Sequence, residues 1–539
     1  MQLLLAVLTA LIVSLAVTPV MVRLAPRLQL LDNPGPRKVH VKPIPRVGGW
    51  GIAIGAMVAV LFWYPPVPVS VAFLVGAGIL LVGGALDDHG NLPPITKLLV
   101  QLTASVPVLV YAGLVMDTIP LFGEFLLPTA VALPLTVLGL MACTNATNTS
   151  DGLDGLAAGV TVLSLVGILT LAYQVDAAEV LIITAATIGG VVGFLRYNTY
   201  PATIFMGDAG SQFLGFAVGF LGLALLHASP DTLSPWLLLL LVGLPVVDLL
   251  IVTVRRIRHG RHPFHPDKTH LHHRLMALGF THAKAVGATY SLHASFVFFG
   301  VALQSSQHWV ILLVFGLHIV LIYGFLSLAE RRVSADVDLD AQSTQPRPFS
   351  PTLVWAPRIA LELMIPLVLL TLAALATDTS TAFGWLAGFL VLILAACLLR
   401  SGDPPALLTR VPTFMMVVTV VYLYTDMAPF SSTLAVATEM AGIGMIGVLA
   451  ALAVWFSPRR RAREFRPTAL DYLMILLASL ALFAVFTGPM TINPFFLIYT
   501  PVLLYACELL LVERRERHDW LLLAVAASGT LLFVRGILL

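Results

Sequence analysis

Residues 1–23 read MQLLLAVLTALIVSLAVTPVMVR. Two readings compete for such a stretch: a cleaved secretory leader, or a first membrane span. A leader opens on positive charge and ends in a small-residue cleavage site. Here no lysine or arginine precedes the apolar run, and Arg23 follows it. Basic residues are held on the cytoplasmic side of a bilayer, so the stretch is read as a span that enters from outside. That orientation sets the sense of every later crossing.

The rest of the chain has the same character. Of its 539 residues 58% are hydrophobic and 11% charged, with a mean hydropathy of +0.94, outside the range of soluble globular proteins. Apolar stretches of about 18 to 22 residues recur from end to end, each enough to cross a hydrocarbon core of roughly 30 Å. Spans are expected near 2–21, 48–64, 69–86, 97–115, 126–143, 155–173, 179–195, 211–228, 235–254, 286–303 and 309–327. A second set is expected near 358–376, 382–399, 411–426, 434–456, 468–486, 491–511 and 519–535. The fold class is therefore an all-α polytopic membrane protein, with a first domain over 1–330 and a second over 358–539. Between them, 331–357 contains SADVDLDAQSTQPRPFSP (334–351), polar, acidic and proline-bearing, which reads as a cytoplasmic linker.

Charge tests this topology. Alternation from an outer N-terminus puts the connections near 22–47, 87–97, 144–154, 196–210, 255–285, 328–357, 400–410, 457–467 and 512–518 on one side. Of the 30 lysines and arginines, all but Arg535 fall in or beside those connections. The opposite loops, such as YPPVPVS and HASPDTLSP, carry none. The positive-inside rule makes the nine connections cytoplasmic. Cys143, Cys397 and Cys507 lie in or beside apolar segments without metal-ligand spacing, so no disulfide framework is expected.

The cytoplasmic connections of the first domain also hold nearly all of its unusual polar residues. They read DNPGPRKVHVKPIPRVGG (32–49), DDHGNLPPITK (87–97), NATNTSDGLDGLAAG (145–159), NTYPATIFMGDAGS (198–211) and RRIRHGRHPFHPDKTHLHHRL (255–275). Asp87 and Asp88 are either helix-end groups reaching for water or a pair whose mutual repulsion suits a base or a cation-facing role. Asn145, Asn148, Asp151 and Asp154 recur every third residue before an apolar run. One of them serves as an N-cap in the simplest reading, but not all four. Asp208, flanked by glycines, is either the N-cap of a Gly-rich turn or an oxygen ligand of the kind Mg2+ prefers. His270, His272 and His273 make zinc conceivable, but no cysteine or spaced glutamate joins them, and a dense cationic loop fits phosphate better. Acids, a base and cations on one face point to phosphoryl chemistry at a membrane rim. A transporter is the rival class; it would place its polar groups near the bilayer midplane, where Asp248 is the one acid well inside a first-domain span.

In these five stretches, from Arg37–Gly49 through the Asp-Asp pair to the HLHH loop, residues 1 to about 330 resemble the polyprenyl-phosphate N-acetylhexosamine-1-phosphate transferases. That family includes the phospho-MurNAc-pentapeptide translocases of peptidoglycan synthesis. The resemblance implies eleven spans in the first domain and a Mg2+-dependent reaction, with Mn2+ as a substitute. In it, polyprenyl phosphate attacks the β-phosphate of a UDP-N-acetylhexosamine, releasing UMP. By matching position it implies a catalytic set of Asp87, Asp88, Lys97, His270, His272 and His273. It implies substrate binding by Arg37, Lys38, His40, Arg46, Asn148, Asp151, Asp154, Asn198 and Phe205, and metal binding by Asp208 and Asp88. The HLHH form resembles the branch that uses UDP-N-acetylglucosamine for lipopolysaccharide, O-antigen, teichoic acid or other surface glycans. The peptidoglycan branch is the alternative, but its three-histidine run followed by Phe-Glu is not present. The implied setting is the bacterial inner membrane, with the site on the cytoplasmic face. Downstream glycosyltransferases and a second copy of the chain are open as partners; nucleic acid is not expected. The spans after 358 carry no motif of this family.

Overall fold

In the computed structural model the described residues are 2–34, 42–120, 124–230, 232–262, 269–336, 363–374, 381–399, positions within 412–421, Leu503, Cys507 and 519–538. The chain divides into two compact units, the first running from Met1 to Ala341.

The first unit is a helical bundle. Its helices are α1 (Gln2–Leu24), α2 (Gly48–Trp63), α3 (Pro68–Gly90), α4 (Pro94–Ala112), α5 (Thr129–Ser150), α6 (Leu156–Gln174) and α7 (Ala178–Asn198). They continue with α8 (Gly207–Ala228), α9 (Leu237–Leu241), α10 (Gly243–Arg258), α11 (Leu271–Ala277), α12 (His282–Ala302) and α13 (His308–Asp336). Among the described residues nine helices are long and apolar enough to cross a membrane, and they include α1, α3 to α8, α12 and α13. The expected crossing at 48–64 is the 16-residue α2. The one expected at 235–254 is not continuous: it breaks at Val242 (φ −111°, ψ 4°) into α9 and α10. Pro245 has no N–H to give to the carbonyl of Leu241, and Gly243 fits closely against the Phe296 ring, so the helix is both uncoupled and seated there. Helix α13 runs on to Asp336, into the stretch expected as linker.

The centre of the bundle is α8, whose apolar window is buried along its whole length. Phe213, Phe216 and Phe220 on α8 meet Phe73 of α3 at ring-centre distances of 6.1, 6.2 and 5.9 Å. With no hydrophobic drive between helices inside lipid, close approach depends on small residues at the contacts. Gly49 of α2 and Gly84 of α3 lie so near the first turn of α8 that a Cβ on either would overlap the backbone of Ala209 or Gly210. Two short antiparallel ribbons complete the unit, β1 (Leu31–Asp32) with β2 (Ile44–Pro45), and β3 (Thr118–Pro120) with β4 (Glu124–Leu126).

In the second unit the described helices are α14 (Leu363–Ala374), α15 (Thr381–Leu398) and α16 (Asp519–Leu538). Helices α15 and α16 pack through Gly384 against Gly536 and through Gly388 against the Phe533 ring. Arg535, the cation that breaks the charge pattern, donates to the carbonyls of Ala373 and Ala374 at 3.1 and 2.8 Å and so satisfies the end of α14. The linker beyond Asp336 and the spans expected at 434–456 and 468–486 lie outside the described residues, as does most of those at 411–426 and 491–511. Cys143, Cys397 and Cys507 are free thiols.

The seat of α8 is open to a direct check. Gly84→Ala should cost about 1–3 kcal/mol through overpacking and lower the Tm in detergent. Gly78→Ala, whose nearest neighbour is the Met57 Cε at 3.9 Å, should leave the Tm unchanged or slightly higher. Equal Tm values for the two variants would contradict the packing described.

Candidate active site

The site begins with the amides that open α8. A buried helix start leaves N–H groups without intrahelical partners. Here the Asp88 carboxylate, in the last turn of α3, accepts from Asp208 N at 2.9 Å and Ala209 N at 3.1 Å. Gly207 precedes them with φ +74°, a left-handed conformation in which a side chain would also collide with the Asp88 carboxylate. Capping from a separate helix draws the ends of α3 and α8 together.

Asp87 and Asp208 are thereby brought toward each other, and Lys97 from the first turn of α4 stands between them. Its Nζ is 2.6 Å from Asp87 and 3.3 Å from Asp208. Asp87 is 1% exposed and also accepts from Leu92 N at 2.9 Å. Carboxylates from two helices thus converge on one cation. The donors are all hard oxygens, and Mg2+ is commonly held by one or two carboxylates plus substrate phosphates rather than by an all-protein cage, so this set fits it. Among the described residues no three of His, Cys, Asp and Glu form such a cage. Asp208 and Asp87 are the residues that suit a cation. Asp88, expected as a metal ligand, has both oxygens turned to α8 amides instead.

The three-residue row of amides and carboxylates turns out to be two things. Asn145 and Asn148 lie within α5, which continues to Ser150. Asn145 exchanges bonds with Gln101 of α4 at 2.7 and 3.3 Å. Asn148 accepts from Ser211 of α8 at 3.0 Å. Both amides fasten helices. Asp151 and Asp154 follow in the turn before α6, whose N-cap is Gly155 with no side-chain cap, so neither acid is spent on that helix start. Asp154 accepts from Ala202 N at 2.9 Å and draws the 199–206 loop inward. Burial, followed by the charges of Asp208 and Asp154, pushes the Asp151 carboxyl up to about 7, with Arg46 opposing.

Asn198 is 3% exposed and fully engaged, accepting from Gly155 N and donating to Ile204 O, each at 2.8 Å. It ties the end of α7 to the start of α6. Phe205, half-buried, is stitched by its backbone to the N-terminal ribbon, with Phe205 N bonding Pro45 O at 2.8 Å and its carbonyl accepting from Gly48 N at 2.9 Å. Arg46 pairs with Asp32 beside it. Arg37, Lys38 and His40 lie outside the described residues.

The histidines divide. His270 is buried behind the site, bonded through Nδ1 to Asp248 of α10 at 2.8 Å. Its Nε2 lies 3.5 Å from the Arg256 guanidinium. His272, 4% exposed, stands against Gly152, where a Cβ would collide with its Nε2, and that nitrogen has no hydrogen-bond partner among the described residues. Burial first, then the neighbouring His273, pushes its pKa down to about 3, so it is a neutral ring at physiological pH. The rings of His272 and His273 are 4.2 Å apart.

Two contributors were missed. His282, at the start of α12, accepts from Asp154 N at 3.1 Å and stacks on Tyr200 at 4.3 Å, the tyrosine being 46% exposed. A lone histidine at a span's end gives no periodic signal; only its proximity to Asp154 reveals it. Elsewhere, an apolar cavity of about 280 Å³ lies between the β3–β4 ribbon, α5, α8 and α9, with Cys143 and Val246 in its wall. It has no charged lining residue and is separate from the carboxylates.

Residues 70–226 match the model of glycosyl transferase family 4. The chain is 38% identical over 313 residues to a probable undecaprenyl-phosphate N-acetylglucosaminyl 1-phosphate transferase of Bacillus subtilis, covering 57% of this chain and 87% of the relative. It is 35% identical over 329 residues to a decaprenyl-phosphate N-acetylglucosaminephosphotransferase of Mycobacterium leprae, covering 55% and 82%. An undecaprenyl-phosphate alpha-N-acetylglucosaminyl 1-phosphate transferase of Escherichia coli K12 is 29% identical over 314 residues, covering 56% and 85%.

The raised Asp151 has a thermodynamic signature. A carboxyl whose pKa is near 7 in the folded chain and ordinarily 3.8 adds stability on acidification, present in full below the lower value and lost as pH rises through the upper. Asp151→Asn should therefore gain less stability than the parent between pH 8 and pH 5, measured by thermal unfolding at each pH. Parallel Tm-against-pH curves for the two proteins would show that Asp151 is ionised normally.

Proposed function

The chain belongs to glycosyl transferase family 4, the polyprenyl-phosphate N-acetylhexosamine-1-phosphate transferases, and from that premise we propose that it transfers N-acetylglucosamine-1-phosphate from UDP-N-acetylglucosamine to a polyprenyl phosphate. An oxygen of the lipid phosphate forms a bond to the β-phosphorus. The bond from that phosphorus to the bridging oxygen breaks, and UMP leaves with the electron pair. The product, a polyprenyl-diphospho-N-acetylglucosamine, starts a surface glycan. The observation that carries this reading is the convergence of Asp87 and Asp208, from separate helices, on Lys97.

Phosphoryl transfer leaves the protein mainly to position reactants and neutralise charge. Asp87, buried and next to an ammonium, is assigned to take the proton of the attacking phosphate. Lys97 draws the anionic reactants to that carboxylate. Mg2+, when bound at Asp208, supplies charge neutralisation at the diphosphate. The Asp151–Asp154 turn, Arg46 and Phe205 form the nucleotide side, and neutral His272 with His273 flanks the sugar phosphates. Asp88, Asn148 and Asn198 hold these groups in place through the helix ends they join. The basic connections support a site on the cytoplasmic face of the bacterial inner membrane.

Purified full-length chain given UDP-N-acetylglucosamine, undecaprenyl phosphate and Mg2+ should release UMP. Chelation should stop release and added Mg2+ or Mn2+ restore it. Asp87→Asn and Asp208→Asn should each lower kcat by about 10²–10⁴-fold, the range for loss of a proton-transfer or charge-stabilising group, with Tm retained. Near-parental turnover in either variant would remove the role given to that residue, and a panel of UDP-sugars would test the sugar assigned.

A further inference from the structure

Asp248 takes no part in the chemistry above, although it is a carboxylate 7% exposed in a largely apolar helix. Its neighbours say what it does. The buried face of α10 is Gly243, Leu244, Val247, Asp248, Val252 and Arg256. Three donors converge on the Asp248 carboxylate: His270 Nδ1 at 2.8 Å, Leu271 N at 3.0 Å and the Tyr323 hydroxyl of α13 at 3.1 Å. A carboxylate only accepts, so His270 carries its proton on Nδ1. The Arg256 guanidinium, a donor alone, approaches Nε2 at 3.5 Å, which fits the same tautomer.

These bonds hold a helix that has little hold on itself. Helix α11 has seven residues, far below the length at which an isolated helix persists, and its N-cap His270 makes no side-chain cap. Asp248 supplies that cap from α10 through Leu271 N. At the other end of α11, Arg274 makes a two-pronged pair with Glu330 of α13, at 2.7 and 2.9 Å. The first and last turns are thus fixed to α10 and α13. His272 sits in the first turn between these anchors, its ring within 7° of parallel to that of His270.

We propose that Asp248 is a positioning residue: acting through His270 and the first amide of α11, it sets His272 over the Asp151–Asp154 turn without itself touching substrate. The proposal rests on the transferase reading for its kinetic test, but it makes a structural claim that can be measured apart from turnover.

The experiment uses the full-length protein and its Asp248→Asn, Tyr323→Phe and His272→Ala variants, with the Asp248→Asn/His272→Ala double variant. The Asp248→Asn change keeps a carbonyl for Leu271 N but presents an amide in place of the second acceptor. In that variant kcat should fall about 10- to 100-fold, the scale of an ångström-level misplacement. In the His272→Ala background the same change should add less than about twofold, because residues acting as one unit are not additive. Carbethoxylation of His272 by diethyl pyrocarbonate, mapped by mass spectrometry, should be several-fold faster in Asp248→Asn, while His227 at the far end of α8 keeps its parental rate. Tyr323→Phe should move both readouts the same way by a smaller factor, and it decides the matter if Asp248→Asn does not fold. Losses that multiply in the double variant, or His272 protected as in the parent, would overturn the proposal. If the parent itself releases no UMP, the transferase reading fails, and the labelling rates still judge the role of Asp248.

Discussion

Everything at the site follows from how the first amides of α8 are satisfied. The helix is buried from Ala209 to Leu226, and no side chain at its own N-cap serves them. Asp88 does so from the end of α3. This bond fixes two helix ends side by side, which puts Asp87 of one against Asp208 of the other. Two carboxylates turned toward one another repel, and a cation between them offsets that repulsion. Lys97 is the cation that stands there. The glycines at 84 and 207 are the steric condition for the approach.

The same device recurs at α11, where Asp248 caps a helix start from a neighbouring helix. In both places a carboxylate at least half-buried joins the start of one helix to another helix. Polar groups are costly in this setting unless bonded. Here they are bonded to backbone amides, which suits them to support rather than to chemistry. Asn198 also accepts from a backbone amide, while Asn145 and Asn148 join helices through the side chains of Gln101 and Ser211.

Much of this was legible beforehand. Hydropathy reports length and composition, so the helices of the first unit lie where apolar runs suggested, and charge distribution marked the loops that come together. The gathering of Asp87, Asp151 and Asp208 was readable because an apolar chain carries few acids, and these three stand at span ends on one face. What could not be read was which polar residue serves protein and which serves ligand. Asn198 and Asp151 look alike in a polar loop, yet one has its amide bonded at both ends and the other is a carboxyl held near neutrality. Similarly, Asp248 resembled a midplane acid until His270 returned to meet it. The break at Val242 was hidden because Pro245 lies within an otherwise continuous apolar run. Partner choice of this kind is decided by tertiary contacts, and a one-dimensional pattern carries no record of them.

Helix α13 is the route by which the chain leaves the first unit, and its inner portion carries both Tyr323 and Glu330. Tyr323 bonds Asp248, the carboxylate that caps the start of α11, and Glu330 holds Arg274 in its last turn. The helix on which the first unit ends thus shares polar contacts with both the cap and the last turn of the seven-residue helix that carries His272.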